Sequence, residues 1–237
     1  MLQSGIGIAL DAFVPPLAPV VLLAFLGAGF LIFCSAVAAA VALALRRVGL
    51  AKILGGTALA VAVVYGTLLV GAAFLSRERT LHPGEKKYFC EMDCHLAYSV
   101  VATAEPGRGL RAVTVQTWFD PSTIASFRGN APLTPNPRTV YLVDGSGRRY
   151  APSGPATKAW EQEHRGSTPL TRVLVPGESY ATTFVFEAPA TARGLRLFLG
   201  DPLGPENLII HHENSPFHAK IYFELTAAAA SLPKAHS

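Results

Sequence analysis

The chain has 237 residues, half of them hydrophobic, with a formal net charge of +4. Most of its charge lies late: the 162 residues after Leu75 hold 17 of the 20 Lys and Arg and 15 of the 16 acids, a net of +2. Nucleic-acid binding needs clustered basic residues with interleaved aromatics, and the isolated pairs Lys86-Lys87 and Arg148-Arg149 do not supply that, so this function is excluded.

The early part is a different material. From Ala12 to Leu45, 34 residues pass without a charge, and another 23 run uncharged from Ile53 to Leu75. About 20 apolar residues suffice to cross a bilayer as a helix. A short tail (1–16) followed by a two-helix transmembrane hairpin (17–75) is therefore expected. Arg46, Arg47 and Lys52 lie between the spans and only Asp11 precedes them, so the loop is expected on the cytoplasmic side and both termini outside it. A cleaved signal peptide is the rival reading of the first span. It would need a basic leader and a short apolar core, and this segment has neither. Small residues at spacings of four, Ala36-Ala40-Ala44 and Ala58-Ala62-Gly66, let helices approach closely. They serve either the packing of one hairpin or self-association. Neither uncharged span offers an ionisable relay, and Cys34 reads as a small apolar filler.

After a linker (76–84), residues 85–226 read as strands, with 227–237 as a tail. The runs Tyr88–Ala104, Leu110–Phe119, Thr139–Val143, Leu170–Val175, Tyr180–Glu187, Gly194–Gly200 and Ala219–Leu225 are separated by Gly/Pro turns. Short alternating strands of this kind predict an antiparallel sandwich with Trp118 and Phe186 in its core. The Pro- and Gly-rich segments 129–137 and 151–169 read as long loops.

From Leu110 to Leu225 the order of elements resembles the immunoglobulin-like domains of unknown function found in bacterial lipoproteins and membrane-anchored proteins. The similar parts are Val113-Thr114-Val115, Val140-Tyr141-Leu142-Val143-Asp144-Gly145 with Arg149-Tyr150, Leu174-Val175-Pro176-Gly177-Glu178, and Thr183-Phe184-Val185-Phe186-Glu187. The resemblance implies an immunoglobulin-like sandwich and an extracytoplasmic address, with no catalytic residues to carry over.

The chemistry-bearing stretch is Cys90-Glu91-Met92-Asp93-Cys94-His95. Thiolate, thioether and imidazole together form a soft-metal set suited to copper(I). The spacing and the two-helix anchor are similar to those of cytochrome oxidase subunit II. That family continues with a histidine four residues beyond the second cysteine and a methionine three further, where this chain has Tyr98 and Val101. A disulfide between Cys90 and Cys94 is the competing expectation in an oxidising compartment. In a straight strand, positions i and i+4 lie about 13 Å apart at ~3.3 Å per residue, so cooperation in either role demands a turn near Met92. Separate free thiols are the third reading. His211, His212 and His218 form a second cluster that could complete a metal site, with Glu213 orienting a ligand.

These residues support a membrane-anchored, non-catalytic binding or assembly module, with the bilayer and a membrane or extracytoplasmic protein as partners. The alternative is a copper-handling or thiol-redox accessory protein, and copper is the one cofactor it would bring. No nucleophile–base motif, phosphate loop or paired catalytic carboxylates support an enzyme.

Overall fold

A computed structural model describes residues 18–91, 94–164 and 167–225. The apolar runs form two helices, α1 (Ala18–Ala44) and α2 (Val48–Leu75). By length and composition, Val20–Ala44 and Val48–Leu75 are each long and apolar enough to cross a membrane. α1 stops in three residues because Arg46 turns left-handed at φ 59°. The Arg46 and Arg47 amides then donate back to the Leu43 and Ala42 carbonyls, satisfying orphan acceptors at the helix end. The loop is thus shorter than its basic residues suggested, and Lys52 lies inside α2.

The seam of the hairpin runs through Ile32, Ser35, Ala39 and Ala42 on α1, and Ala51, Ala58, Leu69 and Ala73 on α2, all withdrawn from the surface. Phe25 and Tyr65 extend it, with ring centroids 6.4 Å apart. Ala36, Ala40 and Ala44 lie outside this seam, on the exposed side. The α1 stripe of small residues therefore does not pack the hairpin.

The chain divides into two compact units. One gathers the helices with Leu203–Lys220, and the other is Arg79–Pro202 with the last strand. The second unit contains nine strands among the described residues: β1 (Arg79–Leu81), β2 (Lys87–Cys90), β3 (His95–Ala104), β4 (Leu110–Phe119), β5 (Thr139–Val143), β6 (Arg149–Tyr150), β7 (Ser179–Glu187), β8 (Arg196–Gly200) and β9 (Ile221–Glu224). They form a five-stranded sheet ordered β1-β9-β8-β5-β6 and a four-stranded sheet ordered β2-β3-β4-β7. One core joins them. Leu96, Tyr98, Val113, Val115, Phe119 and Phe186 from the four-stranded sheet pack with Leu142, Leu197, Leu199 and Phe223 from the other. The two-sheet arrangement expected from alternation is present, since every second residue of β4 and β8 must face the same layer.

Five local expectations are corrected. The run Tyr88–Ala104 is two strands joined by a hairpin, with Cys90 opposite His95. The supposed linker holds β1, which pairs in parallel with β9. Leu170–Val175 is no strand and makes only an isolated bridge, Leu133 to Leu174. Trp118 points away from the core, whose β4 side is filled by Val113, Val115 and Phe119.

The fifth is segment 151–169, which contains α3 (Gly154–Glu163). Ser153 caps this helix, accepting from the Ala156 amide, and Pro155 opens its first turn. The segment covers β7, the edge strand of the four-stranded sheet. The Ser153 amide donates to the Val185 carbonyl at 2.8 Å, and the Thr168 amide to Ala181 at 3.0 Å. An edge strand left bare is a template for unwanted pairing, so covering it has a physical use.

Candidate functional site

At the β2–β3 hairpin, Cys90 pairs across to His95, and the Glu91 amide donates to the Cys94 carbonyl at 2.9 Å. Successive side chains of a strand alternate between faces. Cys90 is accordingly exposed, whereas Cys94 is 1 % exposed within the core. Among the described residues, neither sulfur is joined in a disulfide. The register of β2 and β3 sets the two side chains on opposite faces. Met92, the thioether of the expected ligand set, lies outside the described residues.

His95 shares the outward face with Cys90. Its amide donates to Thr123 Oγ1 at 2.9 Å. Burial lowers the pKa of its ring, and the nearby Asp120 carboxylate works against that shift. Asp120 is itself engaged, accepting from the Ser122 amide and hydroxyl and from Tyr88 Oη.

Glu91, on the core face of the same hairpin, belongs to a buried ionic cluster that strand patterning did not reveal. Arg138, just before β5, forms ion pairs with Glu91 and with Asp201, which follows β8. Its side chain and that of Glu91 are 1 % and 3 % exposed. The guanidinium also lies 4.2 Å from the Phe89 ring centroid. Burial pushes Tyr98, beside this cation, up to about 12. Burial likewise raises the Glu91 carboxyl, against the opposing pull of Arg138. For Arg138, desolvation disfavours the charge, but Tyr98, Asp201 and Glu91 outweigh it and the pKa rises. Lys87 is a second interior cation. It donates to the Leu199 carbonyl at 2.7 Å and so ties β2 to the opposite sheet. These groups can lock the hairpin, the approach to β5 and the end of β8 together. They are far apart in sequence, and no local pattern could have found them.

The outer face of the four-stranded sheet carries a shallow groove of about 260 Å³. Ala97 and Ser99 make its floor, and Lys86, Gln116, Trp118 and Ser179 stand around it. Small residues on β3 open the space between Lys86, just before β2, and the larger side chains Gln116 and Trp118 of β4. The Lys86 ammonium sits 3.6 Å from the Trp118 ring centroid, a cation–π contact. Gln116 Nε2 donates to Ser179 Oγ at 3.2 Å. The groove therefore offers an aromatic plane, a cation and amide and hydroxyl groups in one place. It is Trp118, expected in the core, that makes it.

The histidine cluster is in the helical unit, and Cys90 and Cys94 belong to the other unit. His211 and His218 have ring centroids 6.2 Å apart. His218 Nδ1 bonds the Ala219 carbonyl at 2.7 Å, and His212 Nδ1 accepts from the Asn214 amide at 3.1 Å. Burial lowers the His218 pKa. Among the described residues, no three His, Cys, Asp or Glu side chains are grouped to hold a metal ion. Within the sandwich unit, the hairpin sets Cys90 and His95 on one face and Cys94 on the other.

No family model matches this chain, and no curated protein does. Three solved structures have similarity to it. The yjhA protein from Bacillus subtilis is 14 % identical, with a TM-score of 0.38 over 62 % of this chain and 100 % of that one. The secreted protein MPT63 from Mycobacterium tuberculosis is 9 % identical, with a TM-score of 0.37 over 63 % of this chain and 97 % of that one. A conserved hypothetical protein from Bacillus anthracis is 17 % identical, with a TM-score of 0.33 over 48 % of this chain and 86 % of that one.

Proposed function

We propose that the chain is a two-span integral membrane protein whose sandwich, of the immunoglobulin-like kind, is a non-catalytic extracytoplasmic module that binds a protein partner. Arg46, Arg47 and Lys52 support the orientation, because basic residues in short connections stay cytoplasmic. Lys52, one turn into α2, can extend its ammonium back to the headgroups. The observation that carries the binding reading is the Trp118 groove. The sheet presents Trp118, a residue type enriched among interface anchors, beside the hydrogen-bonding groups of Lys86, Gln116 and Ser179. Copper handling is the weaker reading, since the hairpin register separates Cys90 from Cys94.

The test is crosslinking in native membranes. A photoreactive residue at Ser179, in the groove, should give a discrete adduct, and one at Thr139, on the other sheet, should not. Trp118→Ala should weaken that partner's binding by on the order of 2 kcal/mol, about thirtyfold, the scale of losing an aromatic anchor. Equal adducts from both positions, unaffected by the Trp118 change, would count against the groove as the binding surface.

A further inference from the structure

We propose that Leu203–Lys220, the connection between β8 and β9, is a membrane-dipping loop whose exposed apolar face is covered by lipid of the leaflet that holds the C-terminal end of α2. The inference rests on the reading of α1 and α2 as spans.

Three contacts fasten the loop along α2. Tyr65 Oη donates to the Leu208 carbonyl at 2.6 Å. The rings of Phe74 and Phe217 stack, with centroids 5.8 Å apart and planes 11° apart. The Ala219 amide donates to Ser76 Oγ at 2.8 Å, just past the helix end. These contacts descend the helix. Tyr65 precedes Leu75 by ten residues, about 15 Å at 1.5 Å per residue. With 28 residues, α2 is about 42 Å long, against a hydrocarbon core of about 30 Å. If the helix is centred, its last turn stands about 6 Å above the core and Tyr65 lies about 9 Å inside it. Leu208 is held at or below the headgroup level by that bond.

The loop's composition suits this placement. Leu203 is 85 % exposed and Phe217 73 %, beside Phe74 at 73 % and Leu75 at 82 %. Exposed apolar side chains of this size are a liability in water, whereas at a bilayer surface they are anchors. Several of its polar groups pair within the loop. Lys220 Nζ donates to the Glu213 carbonyl and to Asn214 Oδ1, and Ser215 Oγ donates to the His212 carbonyl. Non-helical backbone is tolerated at membrane depth only when its polar groups are paired within protein, and the Tyr65 hydroxyl and the Leu208 carbonyl pair in just this way. His211 and Phe217 adopt left-handed backbone at φ 65° and 66°. Such conformations are costly for bulky residues, and the Phe74 stack helps to hold Phe217 in its own.

The experiment uses the full chain in phosphatidylcholine vesicles whose acyl chains are brominated near the headgroup or near the bilayer centre. Phe217→Trp and Leu203→Trp report on the loop, and Phe30→Trp, exposed in mid-α1, reports on the spans. The native Trp118 and Trp160 give the baseline in the unaltered protein. The emission added by both loop tryptophans should fall by roughly half or more with shallow bromines, the depth of an interfacial segment. Phe30→Trp should respond to the deep ones. Quenching of Phe30→Trp while both loop tryptophans stay at baseline would overturn the loop proposal and leave the anchor standing. No quenching at any of the three would overturn both.

Discussion

Arg138 concentrates the sandwich's polar interior in one side chain. It joins Glu91 from the hairpin to Asp201 after β8 and stacks against Phe89, while its own head is almost wholly removed from water. Such a pair need not add much net stability, because desolvation offsets the Coulomb gain. Breaking it is different, since one charge is then left buried without a counterion. Arg138→Met in the full chain should cost about 3–5 kcal/mol. Urea unfolding in nonionic micelles, followed by the fluorescence of Trp118 and Trp160, measures the loss. Replacing Glu91 by Gln in the same chain should recover part of it, because a neutral amide costs less to bury than a carboxylate. An unchanged midpoint for Arg138→Met would mean that water reaches the cluster.

At the scale of elements, the β2–β3 hairpin decides what its cysteines can do. The register that sets Cys90 opposite His95 turns Cys94 into the core. Thiolates react in proportion to their access to solvent. A charged maleimide added to the folded protein should therefore modify Cys90 and spare Cys94 until denaturant is present, as read by peptide mass mapping. Failure to label either cysteine before reduction would instead demonstrate the disulfide, and would require the hairpin tip to rearrange. α3 makes a related point. Its start, Ser153-Gly154-Pro155, is a helix-opening signal of cap residue and early proline. The same proline and glycine content suggested a loop, and only the contact with β7 shows why a helix is useful there.

For the whole molecule, the two units carry different work: one has the length and composition to span a bilayer, and the other presents a sheet face. Three basic residues around the α1–α2 turn, with none before them, predict both termini outside the cytoplasm. A reporter active only outside the cytoplasm, fused after Ser237, should be active, and the same reporter placed between Arg46 and Arg47 should be silent. The opposite pattern would invert the assignment.

How much of this was written along the chain follows from the range of each interaction. The helices were legible because crossing a membrane is a property of about 20 consecutive residues. The two-sheet core was legible because alternation repeats every second residue, so Leu197 and Leu199, or Val113 and Val115, declare their common face locally. Where a side chain faces across a hairpin was not legible. A shift of one residue reverses every face, and so Trp118 was expected inside and Cys90 beside Cys94. The Arg138 cluster and the attachment of Leu203–Lys220 to α2 join residues separated by dozens to more than a hundred positions. Their partners exist only once two sheets and a helical hairpin have formed, and tertiary structure alone decides them.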